Sequence, residues 1–219
     1  MRMRKKPNLG PRMERCAALW IREPASYPGR WRSLMPQARA LRVEVGCGKG
    51  KFTVEAAAAE PDTLFIAVER VQEAMVVAME RTMERKLTNV FFVDMDAARM
   101  DECFAPGEID RLYLNFSDPW PRKKNAKRRL THRSFLEKYK KVIRPDGEIW
   151  FKTDNSGLFD FSLEEFQAAG LPLSQVTRNL HEAGPADIMT DYEEKFYKEG
   201  VPICRCVARI PVIALQHSF

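Results

Sequence analysis

A carboxylate, two prolines and a tryptophan stand together where a strand-like run, residues 109–114, comes to an end. They form the element Asp118-Pro119-Trp120-Pro121. Each proline fixes its own φ angle and removes a backbone donor, so the element is rigid and suits a positioned side chain. Seven basic residues follow within 122–133, with no acidic residue among them. Although a charge run is often just a solvated surface, this combination indicates an α/β enzyme that meets a polyanion at the carboxyl edge of its sheet.

Glycines and acidic residues earlier in the chain suit the binding of a nucleoside. Gly46, Gly48 and Gly50 separate a strand-like run from an Ala-rich helix, and glycines at such a turn let backbone N–H groups approach a ligand. Their spacing departs from the G-x-G-x-x-G pattern of dinucleotide sites. Acidic residues recur at or near the ends of three successive predicted strands: Glu44, Glu69 and Asp96.

Each of these acids has a distinct expected role. Glu69, after the second strand, can accept hydrogen bonds from both ribose hydroxyls of a nucleoside. Asp96, after the third strand, can receive an adenine amino group. Glu44, beside the glycine turn, suits a positively charged ligand group better than a pyrophosphate, which favours S-adenosylmethionine over NAD. Solubility explains each acid singly, but it does not explain three acids in register with a glycine turn.

Strand-like and helical periodicities alternate along the chain, which predicts an α/β fold with a doubly wound, mainly parallel sheet. The predicted strands are residues 41–45, 64–68, 90–93, 109–114 and 148–153. The predicted helices are residues 52–59, one through Met75, Met79 and Met83, one capped by Thr131 and running to about residue 143, and 158–169. The methionines predict core packing. Residues 146–147 predict a turn, and runs near 173–178 and 201–213 predict a terminal antiparallel strand pair.

The composition indicates one domain with an unevenly charged surface. With 219 residues, 45% of them hydrophobic, the chain is long enough for one well-packed domain and short for two. Residues 1–43 contain 11 Lys or Arg against two Glu, so a basic arm and a basic loop together resemble a phosphate-binding surface. We expect residues 1–35 to form a loosely attached, flexible arm and residues 36–219 to form the domain.

Several functional classes are excluded by what the sequence lacks. Its apolar runs fall well short of the ~20 residues of a membrane span, and its N-terminus lacks the apolar core of a secretory signal. We therefore expect a cytoplasmic protein with no membrane partner. The five cysteines are scattered, as reduced thiols are. Cys204 and Cys206 lack a second pair or a histidine cluster to complete a zinc site, so we expect no metal.

Four motifs, in order along the chain, make it resemble the bacterial tRNA (guanine-N7-)-methyltransferase family. They are Glu44-Val45-Gly46-Cys47-Gly48-Lys49-Gly50, Asp118-Pro119-Trp120-Pro121-Arg122-Lys123-Lys124 with Lys127-Arg128-Arg129-Leu130, Phe151-Lys152-Thr153-Asp154-Asn155, and Thr190-Asp191-Tyr192-Glu193 with Lys195-Phe196. The resemblance covers nearly the whole chain. The Asp-Pro-Trp-Pro element together with the late Thr-Asp-Tyr-Glu is highly specific, whereas most class I methyltransferases share the glycine turn.

The resemblance implies a fold, a cofactor and a reaction. The fold is the class I methyltransferase type with a seven-stranded sheet, the cofactor is S-adenosylmethionine, and the product is N7-methylguanosine in the variable loop of tRNA. By position, the implied cofactor-binding residues are Glu44, Gly46, Gly48, Glu69, Asp96 and Asp118, with Asp118 also catalytic. The implied substrate-binding residues are Arg122, Asp154, Thr190, Asp191, Tyr192 and Glu193. Arg122 occupies a position where the family often has Lys, so the positive charge is kept there.

The implied reaction needs no general base, because guanine N7 carries an in-plane lone pair and no proton. We expect catalysis to come mainly from holding N7 and the methyl carbon in a near-attack geometry. Asp118 or Glu193 is the candidate for the carboxylate that stabilises the positive charge developing on the purine. Tyr192 or Trp120 is the candidate for stacking the base.

Two other classes of protein share parts of this pattern. A methyltransferase acting on an exocyclic amino group also carries Asp-Pro and an aromatic residue, but those sites usually read Asp-Pro-Pro-aromatic, and Trp120 stands where the second proline would be. A non-catalytic RNA-binding module would keep the basic loop and lose the cofactor acids. We expect tRNA as the partner, no obligatory protein partner, and a monomer or homodimer.

Overall fold

The computed structural model describes residues 8–212, which form one seven-stranded sheet with helices on both faces. The strands are β1 (Ala40–Val45), β2 (Thr63–Val68), β3 (Val90–Val93), β4 (Ile109–Asn115), β5 (Ile143–Thr153), β6 (Leu173–Thr177) and β7 (Cys204–Arg209). The helices are α1 (Leu9–Arg15), α2 (Lys51–Ala59), α3 (Gln72–Glu84), α4 (Met100–Cys103), α5 (Arg133–Val142), α6 (Ser156–Ala168) and α7 (Asp191–Lys198).

The strand order is β3-β2-β1-β4-β5-β7-β6. The first five strands in the chain pair in parallel, whereas β7 lies antiparallel between β5 and β6. The predicted doubly wound sheet with a terminal antiparallel pair is therefore confirmed. After β3 the chain returns to the other side of β1, so the strand order reverses between β1 and β4. In sheets of this type, ligands bind outside the carboxyl ends of the strands at such a reversal.

The strand sequences reflect burial on both faces of the sheet. Every residue of β2 is buried, and its sequence TLFIAV is almost continuously apolar, as expected of a central parallel strand. One hydrophobic core packs β1, β4 and β5 under α5 and α6, and a second packs the other face under α2 and α3. Each fully buried Leu, Ile or Phe in these cores stabilises the fold by about 1.5–3 kcal/mol.

The segment before the first strand is packed on the sheet, at variance with the loose arm predicted for residues 1–35. The Trp31 side chain is fully buried, stacks on Tyr27 and Phe104 at 4.9 and 5.0 Å between ring centroids, and donates from Nε1 to the Cys103 carbonyl at 2.8 Å. The Ile21 N–H donates to the Phe92 carbonyl at the edge of β3. Loose attachment is thus wrong for residues 8–35, and residues 1–7 lie outside the described range.

Three local predictions need correction. Helix α5 is capped by His132, whose side chain accepts from Ser134 N–H, while Thr131 is fully buried and bonded to the Ser162 hydroxyl. Residues 146–147 lie within β5, where Asp146 takes a left-handed φ of 64° at an irregularity in the strand pairing. Met75 and Met79 are buried as predicted, but Met83 is 47% exposed at the end of its helix.

Helix α7 is an element that the periodicity of the sequence does not predict. Its first turn is a capping box: the Thr190 hydroxyl accepts from Glu193 N–H, and the Glu193 carboxylate accepts from Thr190 N–H. The spacing Thr-x-x-Glu is a recognised signal for a helix N-terminus. That signal is present in the Thr-Asp-Tyr-Glu motif, but the helix is only eight residues long, too short for its apolar spacing to identify it.

Candidate active site

A cleft of about 460 Å³ opens at the carboxyl ends of β1 to β4, where the strand order reverses. This volume lies within the range of pockets that hold drug-sized ligands and cofactors. The residues that line the cleft include Gly46, Glu69, Asp96, Asn115, Asp118 and Trp120. The structure therefore brings together most of the predicted cofactor-site residues.

The turn after β1 is shaped by glycines with left-handed backbone. Gly46, Gly48 and Gly50 have φ angles of 81°, 57° and 75°. At Gly50 an added Cβ would lie 2.4 Å from the Cβ of Ala78, so this position also lets the turn pack tightly on α3. Glycine adopts such angles at no steric cost, which explains the three glycines of the motif.

Glu69 organises the same turn from the end of β2. Its carboxylate accepts from Gly48 N–H at 2.9 Å and from Val71 N–H at 2.8 Å. A carboxylate offers about four acceptor positions, so two remain for a ligand in the cleft. Glu69 can therefore hold the turn and accept from ligand hydroxyls at once.

Asp96 follows β3 and lines the cleft together with Gly46 and Glu69. Its carboxylate accepts from Ala98 N–H at 2.9 Å, capping a short 3₁₀ helix, and lies 3.4 Å from the exposed Arg70 guanidinium. The side chain is exposed on the cleft wall. Its location agrees with the nucleoside-binding role expected for the acid after the third strand.

Glu44 is placed differently from the prediction. Its side chain is buried and does not line the cleft; the carboxylate accepts from the Thr53 hydroxyl and from Asn115 Nδ2, the latter at 2.9 Å. Burial raises the pKa of Glu44 because the charged form loses its hydration, and these two hydrogen bonds oppose that rise. The Glu44 carboxylate lies behind the cleft and accepts a hydrogen bond from Asn115, a residue that lines the cleft.

The Asp-Pro-Trp-Pro element forms the opposite wall of the cleft. Asp118 is exposed there, and within residues 8–212 its carboxylate has no hydrogen bond or ion pair. Phe116 and Trp120 take left-handed φ angles of 53° and 41°. Such angles are strained for residues other than glycine and collect at functional sites. The backbone therefore bends sharply on both sides of Asp118.

Two arginines of the basic loop hold this strained element in place. The Arg129 guanidinium donates to the carbonyls of Pro119 and Trp120, both at 3.0 Å. The Arg128 guanidinium stacks on the Trp120 ring, 3.7 Å from its centroid. These two cations are thus engaged within the protein. The remaining four cations of residues 122–128 are exposed and make no ion pair in the described part of the chain: Arg122, Lys123, Lys124 and Lys127.

The predicted substrate-binding residues lie outside the cleft. Arg122 is exposed on the basic loop, and Asp154 is exposed just after β5. Thr190 caps α7, Asp191 forms an ion pair of 2.8 Å with Arg81, and Tyr192 is 58% exposed. Aromatic contacts connect α7 to the cleft wall, because Phe196 lies 6.4 Å from Phe116 and 6.1 Å from Tyr192, measured between ring centroids.

Glu193 is not available to a substrate, contrary to its predicted role. Its side chain is fully buried and accepts from Lys152 Nζ at 2.8 and 3.0 Å. His181 Nε2 lies 3.0 Å from the same carboxylate, while His181 Nδ1 accepts from Ala186 N–H. A neutral imidazole protonated at Nε2 satisfies both contacts. Of the two carboxylates considered for the guanine edge, only Asp118 faces the cleft.

Several residues of this arrangement are not predicted from the sequence. Lys152 belongs to one of the four motifs, and a lysine inside the apolar strand β5 requires a buried partner, which is the signal that could have found it. His181 and Arg81 carry no comparable signal, because neither lies inside an apolar strand or in one of the four motifs. Among residues 8–212, no helix is long and apolar enough to cross a membrane.

The chain is similar in sequence to known methyltransferases. Residues 38–206 match a family model described as a putative methyltransferase. The chain is 43% identical to the tRNA (guanine-N(7)-)-methyltransferase of Halalkalibacterium halodurans over 219 residues, which is 100% of both chains. It is 42% identical to the protein of the same name from Bacillus subtilis over 206 residues, 94% of this chain and 97% of the relative.

Solved structures share the fold at low sequence identity. A 16S rRNA methyltransferase named KamB superposes with a TM-score of 0.65 at 15% identity, covering 84% of this chain and 94% of the other. A 16S rRNA (adenine(1408)-N(1))-methyltransferase from Catenulisporales acidiphilia superposes with a TM-score of 0.62 at 14% identity, covering 85% and 92%. These likenesses show the class I methyltransferase fold alone. The 43% identity to a curated relative over the full length of both chains shows that the chain belongs to the bacterial tRNA (guanine-N7-)-methyltransferase family.

Proposed function

We propose that the protein transfers a methyl group from S-adenosylmethionine to N7 of a guanine in the variable loop of tRNA. The observation that carries this proposal is one cleft with two walls. The glycine turn, Glu69 and Asp96 form a nucleoside wall, and Asp118 with Trp120 forms a second wall beside a basic loop. The names of the curated relatives agree with this activity.

The nucleoside wall has the donor and acceptor set that S-adenosylmethionine requires. Glu69 retains acceptor positions for the ribose hydroxyls, and Asp96 can accept from the adenine amino group. Gly46 lets the backbone approach the ligand without a side chain in the way. When bound, S-adenosylmethionine supplies an electrophilic methyl group.

The second wall is suited to a guanine. We assign Asp118 to the guanine edge, where its free carboxylate accepts from N1–H and N2–H2, donors that adenine lacks. Guanine N7 has a lone pair and no proton, so the protein holds the base in line and removes no proton. The Asp118 carboxylate also stabilises the positive charge that develops on the purine. Trp120 or Tyr192 stacks the base, and Arg122 and Asp154 contact the tRNA.

An assay with labelled S-adenosylmethionine tests the activity and its atom at once. We expect label in a tRNA transcript at a single variable-loop guanine, and strand cleavage after borohydride and aniline treatment, which reports N7-methylguanosine. A matched transcript carrying 7-deazaguanine at that position lacks the nucleophilic nitrogen and should accept no label. Label on adenine, on an exocyclic amino group or on the 7-deaza transcript would contradict the proposal.

A further inference from the structure

We propose that Arg81 couples cofactor binding to tRNA binding, because one guanidinium joins the glycine turn to the helix that carries the Thr-Asp-Tyr-Glu motif. This inference rests on the proposed function and names a positioning residue for it. Arg81 lines neither wall of the cleft and would act through the two segments that it bridges.

The first contact of Arg81 is with the glycine turn. Its Nη1 donates to the Lys49 carbonyl at 3.0 Å. Ala78, one turn earlier on α3, lies under Gly50, where an added Cβ would lie 2.4 Å from the Cβ of Ala78. Residues three apart share a helix face, so the same face of α3 supports the turn through Ala78 and Arg81. A ligand that orders the turn therefore also fixes the position of Arg81.

The second contact of Arg81 is with the first turn of α7. Its Nη1 and Nη2 donate to the two carboxylate oxygens of Asp191, at 2.8 and 3.3 Å. This paired geometry fixes the angle of the carboxylate as well as its distance. Asp191 adjoins Tyr192, which is 58% exposed and lies at the surface that tRNA would meet. Fixing Arg81 therefore orients the segment that presents Tyr192.

The fold does not depend on this bridge. Helix α7 is also held by the buried pair of Glu193 with Lys152 and by an ion pair of 2.5 Å between Glu194 and Lys51. The Arg81 and Asp191 side chains are 34% and 42% exposed, so their ion pair contributes little to stability. Lys51 reaches Glu194 from the first residue of α2, whereas Arg81 contacts the backbone of the glycine turn itself, at the Lys49 carbonyl.

The consequence is positive coupling between the two ligands. Each ligand orders one end of the bridge, so the second ligand meets a segment that is already oriented. Such coupling is reciprocal: tRNA tightens cofactor binding by the same factor as the cofactor tightens tRNA binding. We expect a factor of about 5, the low end for coupled sites, because the bridge is partly exposed.

Calorimetry with S-adenosylhomocysteine, which carries no transferable methyl group, measures the coupling without turnover. Its affinity is measured with and without saturating tRNA for the wild-type protein, Arg81→Ala and Arg85→Ala. Arg85 is an exposed arginine one turn further along and serves as the matched control. The ratio of the two affinities should be about 5 for the wild type and the control, and about 1 for Arg81→Ala.

The affinity ratio separates coupling from a merely structural role. If Arg81 only stabilised the fold, Arg81→Ala would weaken both affinities and leave the ratio unchanged, which would overturn the inference. A ratio of 1 in the wild-type protein would overturn it as well. Neither result touches the proposed function, which fails only if the wild-type protein does not methylate N7 of guanine in tRNA.

Discussion

Acidic residues of this protein either line the cleft or support the fold, according to their surroundings. Glu69 and Asp118 reach the cleft, whereas Glu44 and Glu193 are buried and bonded to other parts of the protein. The sequence identifies all four as candidate ligand-binding acids because carboxylates recur at the ends of strands and in motifs. Which way each carboxylate points depends on partners distant in the sequence, such as Lys152 for Glu193, and only the fold brings those together.

Replacing Glu193 tests whether it is structural. In Glu193→Gln the buried Lys152 ammonium loses its counter-charge, and breaking a buried pair costs about 3–5 kcal/mol of unfolding free energy. Glu194→Gln, at the next position, breaks only partly exposed ion pairs and should lower the unfolding free energy far less. Denaturant unfolding of the two variants measures the difference. Equal stabilities, with loss of tRNA binding confined to the Glu193 variant, would return Glu193 to the substrate surface.

Replacing Glu69 tests the nucleoside wall. In Glu69→Ala the turn loses the acceptor for Gly48 N–H, and the ligand loses the ribose acceptor that we propose. Hydrogen bonds to a charged group contribute about 1.5–3 kcal/mol, so S-adenosylmethionine affinity should fall by at least about 10-fold. Calorimetry against Glu84→Ala, an exposed glutamate on α3, supplies the comparison. Unchanged affinity would remove Glu69 from the site.

At the scale of elements, the glycine turn is held in position by its packing on α3. Gly50→Ala would force a side chain into a left-handed φ of 75° and against Ala78. The left-handed conformation alone costs about 1–2 kcal/mol. We expect a lower unfolding free energy together with weaker cofactor binding. Gly10→Ala in α1 meets no atom within 4 Å and should leave both unchanged or slightly raise stability. Cofactor affinity retained in Gly50→Ala would contradict this account of the turn.

The basic loop divides into two functions that substitution can separate. Lys123, Lys124 and Lys127 are exposed and unpaired within the described residues. Replacing all three by Ala should therefore weaken the binding of tRNAs whatever their sequence. The slope of log affinity against log salt should flatten by about 0.7–0.9 for each phosphate that the variant no longer neutralises. Arg128 stacks on Trp120, and Arg129 donates to the carbonyls of Pro119 and Trp120. Replacing both arginines should therefore lower the methyl-transfer rate and change the salt slope little. Filter binding over a salt series and single-turnover assays distinguish the two, and equal salt slopes in both variants would contradict the division.

At the scale of the molecule, the alternation of strands and helices is enough to predict the parallel sheet and its terminal antiparallel pair. The packing of residues 8–35 is not predicted, because their arginines and prolines resemble a solvated tail. In the fold, Arg12 pairs with Glu80 and Arg32 with Asp110. Part of the positive charge of residues 8–35 is therefore neutralised by acidic residues of α3 and β4. Within residues 8–212, the exposed and unpaired lysines of the basic loop are the better candidate for the tRNA surface.

In the function that we propose, methyl transfer takes place between the two walls of the cleft, with Asp118 at the reacting base. The most direct measurement is the single-turnover rate of Asp118→Ala at saturating tRNA and S-adenosylmethionine, beside the affinities for both ligands. Asp118 has no partner within residues 8–212, so its removal should leave the fold and tRNA affinity intact. We predict a rate about 100-fold or more below that of the wild-type protein, as expected for loss of a group that stabilises developing charge. A rate close to that of the wild type would contradict the account and reduce Asp118 to a residue at the end of a strand.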